Sequence, residues 1–205
     1  MAAAPLILAQ VSADLNRYLE QLRACTLCAG DMPRSPNPIV RAARGAKILI
    51  ASQAPGNLAD LSSRPFADPS GVRLRSWMGV SEGEFYDESR VVIAPMGFCF
   101  PGYDKKGGDL PPMKVCAPTW RPGLLERLPD IELVLAIGGY AQRWHLGPAA
   151  SRTLTETVRN WRTHMEAGIL PTPHPSWRNN AWLKKNPWFE TEVLPVLRQK
   201  VRDLL

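Results

Sequence analysis

The sequence predicts an α/β protein of three layers, α/β/α, with a central, mainly parallel four-stranded sheet. Three observations predict it. Four short apolar runs rich in branched residues read as buried strands. Helical periodicity fills the stretches between them, and strands alternating with helices argue for a parallel sheet covered on both faces. The 205 residues suit one domain, 1–205, with a full hydrophobic core.

The elements follow in order. Leu6–Leu22 places Leu8, Val11, Leu15, Tyr18, Leu19 and Leu22 three and four apart, as on one face of a helix. The first strand is Ala46–Ala51. A short helix, Val72–Met78, leads to the second strand, Val91–Ala94. Trp120–Leu128 reads as a helix with Thr119 as its cap. Leu133–Ile137 is the third strand, followed by helices Tyr140–Leu146 and Leu154–Trp161. Ile169–Leu170 closes the set. The last helix, Pro187–Leu205, has proline in its first turn and a stripe of Val193, Leu197, Val201 and Leu204. The twenty prolines cluster in loops, where a fixed φ does no harm.

Composition excludes some functions. No apolar run approaches the ~20 residues that a membrane span needs. Met1-Ala2-Ala3-Ala4-Pro5 lacks a basic n-region, so no signal peptide is expected and the protein is expected in the cytoplasm as a monomer. A net charge of +6 permits a polyanionic partner but does not require one. Cysteines stand at 25, 28, 99 and 116. In a reducing compartment they read as a metal or cluster site, or as plain buried thiols, before disulfides.

Ligands of open parallel sheets bind beyond the carboxyl ends of the strands. Three segments therefore come under suspicion: Ser52–Asp60, Pro95–Gly102 and Pro171–Asn180. In the first, Pro55-Gly56 forces a sharp turn with exposed N–H groups. In the third, His174 is fixed between Pro173 and Pro175.

These residues resemble a known family. Gln53-Ala54-Pro55-Gly56 after a strand, then Pro65-Phe66 and Ser70-Gly71, resemble the first motif of the uracil-DNA glycosylase superfamily. His174-Pro175-Ser176 resembles the second. Cys25-Thr26-Leu27-Cys28, Cys99 and Cys116 match the iron–sulfur, family 4-like branch in order and approximate spacing. The resemblance spans roughly residues 20 to 180 and implies hydrolysis of the N-glycosidic bond of uracil or a related deaminated base in DNA.

It also implies roles. Phe66 stacks on the extruded base. Gln53, Ala54, Gly56 and Met96 surround that base, and Gln53 or Asp60 positions the water. His174 stabilises the leaving base. Ser176, Trp177, Arg178 and Asn179 grip the DNA, with Trp177 in a loop that fills the gap left by flipping. Cys25, Cys28, Cys99 and Cys116 hold one four-iron (4Fe-4S) cluster, with zinc or no metal as alternatives.

Two departures qualify the resemblance. Gln53 stands where many members carry an acid, with Asn57, Asp60 and Asp68 as nearby polar substitutes. Ala94-Pro95-Met96-Gly97-Phe98 lacks the Asn that relatives place before the third cysteine, which leaves the backbone of Met96–Phe98 to read a base. Two other readings stand beside the enzyme: a non-catalytic DNA- or damage-binding module on the same fold, and a nucleotide-binding protein. The second is disfavoured because no Gly-rich phosphate loop is present.

Overall fold

The computed structural model describes residues 14–205. The expected positions Leu8 and Val11 of the first helix lie outside them. Four strands, β1 (Ile48–Ala51), β2 (Val91–Ile93), β3 (Leu133–Ile137) and β4 (Ile169–Thr172), form one sheet in the order β2-β1-β3-β4. Every pairing is parallel, with Ile48 level with both Val91 and Leu133 and Val134 level with Ile169. Pro171 sits in the edge strand β4, where a missing N–H costs least.

The alternation of side chains along the strands divides the core. Ile48 and Ile50 of β1 join Val91, Ile93, Leu133, Leu135 and Leu170 on one face. That face is covered by α3 (Pro69–Met78), α4 (Glu82–Tyr86), α8 (Trp161–Glu166) and α10 (Leu194–Leu204) through Leu74, Phe85, Trp161 and Leu197. Leu49 and Val92 point the other way. They meet Leu15, Leu19 and Leu22 of α1, helical over 14–23, and Leu124 of α5 (Cys116–Glu126). Each fully buried large side chain contributes roughly 1.5–3 kcal/mol.

Several boundaries differ from the sequence expectation. Helix α5 begins at Cys116, so Thr119 is no cap. Its hydroxyl donates to the Val115 carbonyl from inside the helix. Helix α3 starts at Pro69, capped by Asp68, whose side chain accepts from the N–H groups of Ser70 and Gly71. The expected Leu154–Trp161 helix is two, α7 (Leu154–Arg159) and α8. The C-terminal helix is preceded by a π-turn, Phe189–Val193. Pro195 has no N–H to donate at the start of α10, which suits that loosened winding. Helices α2 (Asn57–Ser62), α4, α6 (Gly138–Leu146) and α9 (Asn180–Lys185) complete the set, α2, α4 and α9 being additions to the expected elements.

The turn from residue 65 to residue 71 is under visible constraint. Phe66 has φ +56°, uncommon for a bulky side chain. Its carbonyl lies where a Cβ on Gly71 would be, at 1.9 Å. The Tyr86 hydroxyl donates to the carbonyls of Pro65 (2.8 Å) and Phe66 (3.3 Å) and clamps the bend. A Gly71→Ala variant is therefore expected to lose roughly 2–3 kcal/mol by overpacking. Gly83→Ala in α4, where the added carbon meets only Ser81 Oγ at 3.9 Å, is expected to gain about 0.5–1 kcal/mol from helix propensity. Denaturant midpoints of the two variants measure the contrast.

Candidate functional site

The loops after β1 and β4, the 65–71 turn, and a short hairpin bridging Tyr103 and Asp109 meet at the carboxyl edge of the sheet. They line an inner cleft. Ser52, Ala54, Gly56, Phe66, Asp68, Asp109 and His174 are among its walls. A wider outer groove continues past Arg73, Tyr103, Ser176, Trp177 and Arg178.

His174 stands at the junction of the two. Its Nδ1 accepts from the Ser176 N–H at 3.2 Å, which places the ring proton of the neutral form on Nε2. Burial lowers its pKa, opposed by the Asp68 charge. The His174 and Phe66 rings lie 6.4 Å apart at 26°. The His174 carbonyl accepts from Asn179 Nδ2 at 2.8 Å. Arg73 braces the same loop by donating to the Ser176 carbonyl (3.2 Å) and to Asn180 Oδ1 (2.8 Å).

Asp68 occupies the opposite role. Its Oδ1 is committed to the start of α3, accepting from Ser70 N, Ser70 Oγ and Gly71 N. Its Oδ2 lies 4.0 Å from where a Gly56 side chain would begin. Gly56 therefore leaves room for the carboxylate to face the cleft.

The remaining expected residues divide. Asp60 does not line the cleft. It is buried and paired with Arg34 at 2.8 Å, which corrects its assignment to water positioning. Gln53 does not line the cleft either. Its Nε2 donates to the Leu110 carbonyl at 3.0 Å and its own carbonyl accepts from Gly97 N at 2.9 Å, so it ties neighbouring loops together. The Met96 side chain packs with Ala51, Ala117, Ala136 and Ala141 in the core. The Met96 and Gly97 N–H groups are taken by Ser52 and Gln53 carbonyls, and Phe98 N–H points to Cys116 Sγ. Those three N–H groups are therefore not free to read a base.

On the outer groove, Trp177 is 72% exposed and stands at the mouth with Leu58 and Tyr103. Arg178 is engaged within the chain, donating to the Gly107 carbonyl at 2.7 Å. Asn179 is turned inward onto His174. Sequence reasoning missed Arg73 and Asp109. A cation in α3 and a carboxylate after Gly107-Gly108 carry no local mark of a site.

The four cysteines converge. Cys25, Cys28, Cys99 and Cys116 line one apolar cavity with Phe98, Met113 and Trp120. Burial pushes the thiol of Cys99 up to about 12 and that of Cys116 up to about 11. Trp120 Nε1 donates to Cys25 Sγ at 3.3 Å and Phe98 N to Cys116 Sγ at 3.4 Å. Among the described residues, no three His, Cys, Asp or Glu side chains form a ready single-ion site. Thiolates on one zinc ion stand about 3.8 Å apart, given a metal–sulfur bond of ~2.3 Å.

Comparison with known proteins adds two findings. A family model described as the uracil DNA glycosylase superfamily matches residues 40–198. A solution NMR structure from Methanosarcina acetivorans, provisionally described as a uracil DNA glycosylase, is 16% identical. The match covers 78% of this chain and 94% of that one, with a TM-score of 0.46.

Because Asp60 faces Arg34 and not the cleft, an Asp60→Asn variant is expected to lower stability by roughly 1–3 kcal/mol and to leave DNA binding unchanged. Thermal melts beside a DNA-binding titration check both halves.

Proposed function

This chain belongs to the uracil DNA glycosylase superfamily, and from that premise we propose that it hydrolyses the N-glycosidic bond of uracil or a related deaminated base in DNA. One observation carries the reading: a neutral imidazole, its Nδ1 already occupied by Ser176 N–H, shares one cleft with an aromatic ring and a carboxylate.

The roles follow from the chemistry of bond breaking. Phe66 stacks on the extruded base, an interaction worth ~1–3 kcal/mol. As the C1′–N bond breaks, its electron pair leaves with the base. His174 Nε2–H donates to the carbonyl that takes up this charge. Loss of one such donor costs ~2.7–4 kcal/mol of transition-state stabilisation. Water attacks C1′ as its proton passes to Asp68 Oδ2, the oxygen not used in capping α3. Gln53, in the loop after β1, is not needed as a base in this scheme. Arg73 and the Ser176 hydroxyl face the outer groove, where the phosphates flanking the extruded nucleotide would run, and Trp177 fills the gap in the duplex.

Cys25, Cys28, Cys99 and Cys116 would hold an iron–sulfur cluster. The fit rests on four thiols around one cavity and N–H groups aimed at two of the sulfurs. Bound there, the cluster supplies a cross-link between the N-terminal segment, the loop after β2 and α5. Protein purified without oxygen is expected to be brown, with four iron atoms per chain on metal analysis. Equimolar zinc in its place would sink the cluster assignment.

The glycosylase reading is tested on oligonucleotides carrying uracil, hypoxanthine or xanthine, with alkali to reveal abasic sites. Cleavage is expected at one or more. His174→Ala is expected to lose about 10²–10³-fold and Asp68→Asn about 10²–10⁴-fold in rate. Protonating His174 Nδ1 breaks its bond from Ser176. With the pKa lowered by burial, that loss comes only below the ~6.5 of a free histidine, so titration of His174 itself should cost no activity above about pH 6.5. Salt-sensitive binding with no abasic product from any oligonucleotide would leave a DNA-binding protein and end the enzyme reading.

A further inference from the structure

The cleft holds a second carboxylate that the scheme above does not use. Asp109 ends the hairpin, and its position is fixed from both sides. Gln53 Nε2 holds the Leu110 carbonyl at 3.0 Å, and Arg178 holds that of Gly107 at 2.7 Å. Asp104 closes the turn between them, accepting from Lys106 N and Gly108 N at 2.8 Å each. Leu110 N donates to the Gly102 carbonyl at 2.9 Å. Loop residues are seldom pinned so fully unless the strand end they carry must stay in place. The Asp109 carboxylate itself has no hydrogen-bond partner among the described residues, and it borders the inner cleft and the outer groove alike.

Several neighbouring polar groups are already engaged. The N–H groups of Met96, Gly97 and Phe98 all have acceptors, and Asp68 Oδ1 has three donors. We propose that Asp109 is the side chain that recognises the hydrogen-bonding edge of the extruded base, taking bases in which a ring N–H adjoins a carbonyl. This inference rests on the glycosylase reading and names the selector of its substrate.

The chemistry of that edge sets a condition. A carbonyl beside an N–H needs a partner with a donor beside an acceptor. An amide offers this, and so does a carboxyl group that keeps its proton. An ionised carboxylate would accept from the N–H but repel the carbonyl. Asp109 is exposed in the free protein, and its surroundings bias it toward the proton only in direction. Burial raises the Asp109 pKa first, Arg178 opposes, and the charges of Asp68 and Asp104 raise it again. The remaining titratable neighbour in the cleft, His174, is held neutral by burial. A base filling the cleft expels more water and pushes in the same direction.

The test compares wild type, Asp109→Asn and Asp109→Ala on a uracil oligonucleotide from about pH 5 to about pH 9, with melting curves to show that each is folded. Wild-type kcat/KM is expected to fall as pH rises and Asp109 ionises. Asp109→Asn should stay within a few-fold of the best wild-type rate and lose that alkaline fall. Asp109→Ala should be down on the order of 10–100-fold throughout. Wild type should also reject 3-methyluracil, which lacks the N–H. If Asp109→Asn drops as far as Asp109→Ala, the group acts as a base and the inference is overturned. It is equally overturned if neither variant changes the rate. In both cases an active wild type leaves the glycosylase reading standing, whereas an inactive wild type removes both.

Discussion

All four strands run the same way, so each delivers its chain to one edge of the sheet. Everything distinctive in the molecule depends on that constraint. The loops after β1, β2 and β4 are widely separated in sequence, yet Gly56, Pro95 and His174 border one cleft. The alternation along β1 separates two cores, with Ile48 and Ile50 on one side and Leu49 on the other. Both faces are thereby occupied with helices, and the edge is the remaining place where loops can meet a ligand.

At that edge the loops are held by hydrogen bonds more than by apolar packing. Arg73 and Asn179 brace the His174 loop, Tyr86 clamps the turn at Phe66, and Gln53 and Arg178 grip the hairpin. Each of these contacts reaches a backbone carbonyl. A carbonyl fixes where a loop runs without constraining the side chain beside it. That leaves His174, Phe66 and Asp109 free to face the cleft while their own main chain is fixed. It also explains why residues expected to touch DNA, Arg178 and Asn179, are used inside the protein.

Much of the fold was legible in the sequence, because a strand buried on both faces is a short apolar run and little else looks like one. Leu133–Ile137 was read to the residue. The short helices were less so. Helix α4 has only Phe85 buried, which gives no periodicity, although its Ser81–Glu84 capping box was in view. In the site, His174 and Phe66 were legible because prolines and glycines beside them mark a fixed loop. Asp60 was misread because its partner, Arg34, lies 26 positions earlier, and no local pattern announces an ion pair of that span. Asp109 was missed for the same reason. What makes it notable is its approach to residues more than fifty positions away in either direction, set by tertiary contacts alone.

The cysteine cavity and the base cleft are joined by one buried cation. Arg121, fully buried in α5, donates to the carbonyls of Ala94 (2.7 Å) and Pro95 (3.1 Å) and meets His145 Nε2 at 2.7 Å. Pro95 is a wall of the cleft, and Cys116 opens the helix that carries Arg121. Burial pushes the Arg121 pKa down to about 10, and burial with the adjoining guanidinium pushes His145 to about 3. Histidine is therefore the neutral acceptor and arginine keeps the charge. A buried cation with no carboxylate at hand is costly unless carbonyls and a neighbouring negative group offset it. Cys116, at the head of the same helix, is near enough to the guanidinium to feel its charge, and as an ionised cluster ligand it would offset part of that charge. The cluster proposed there would then help to compensate the charge whose hydrogen bonds fix the cleft wall.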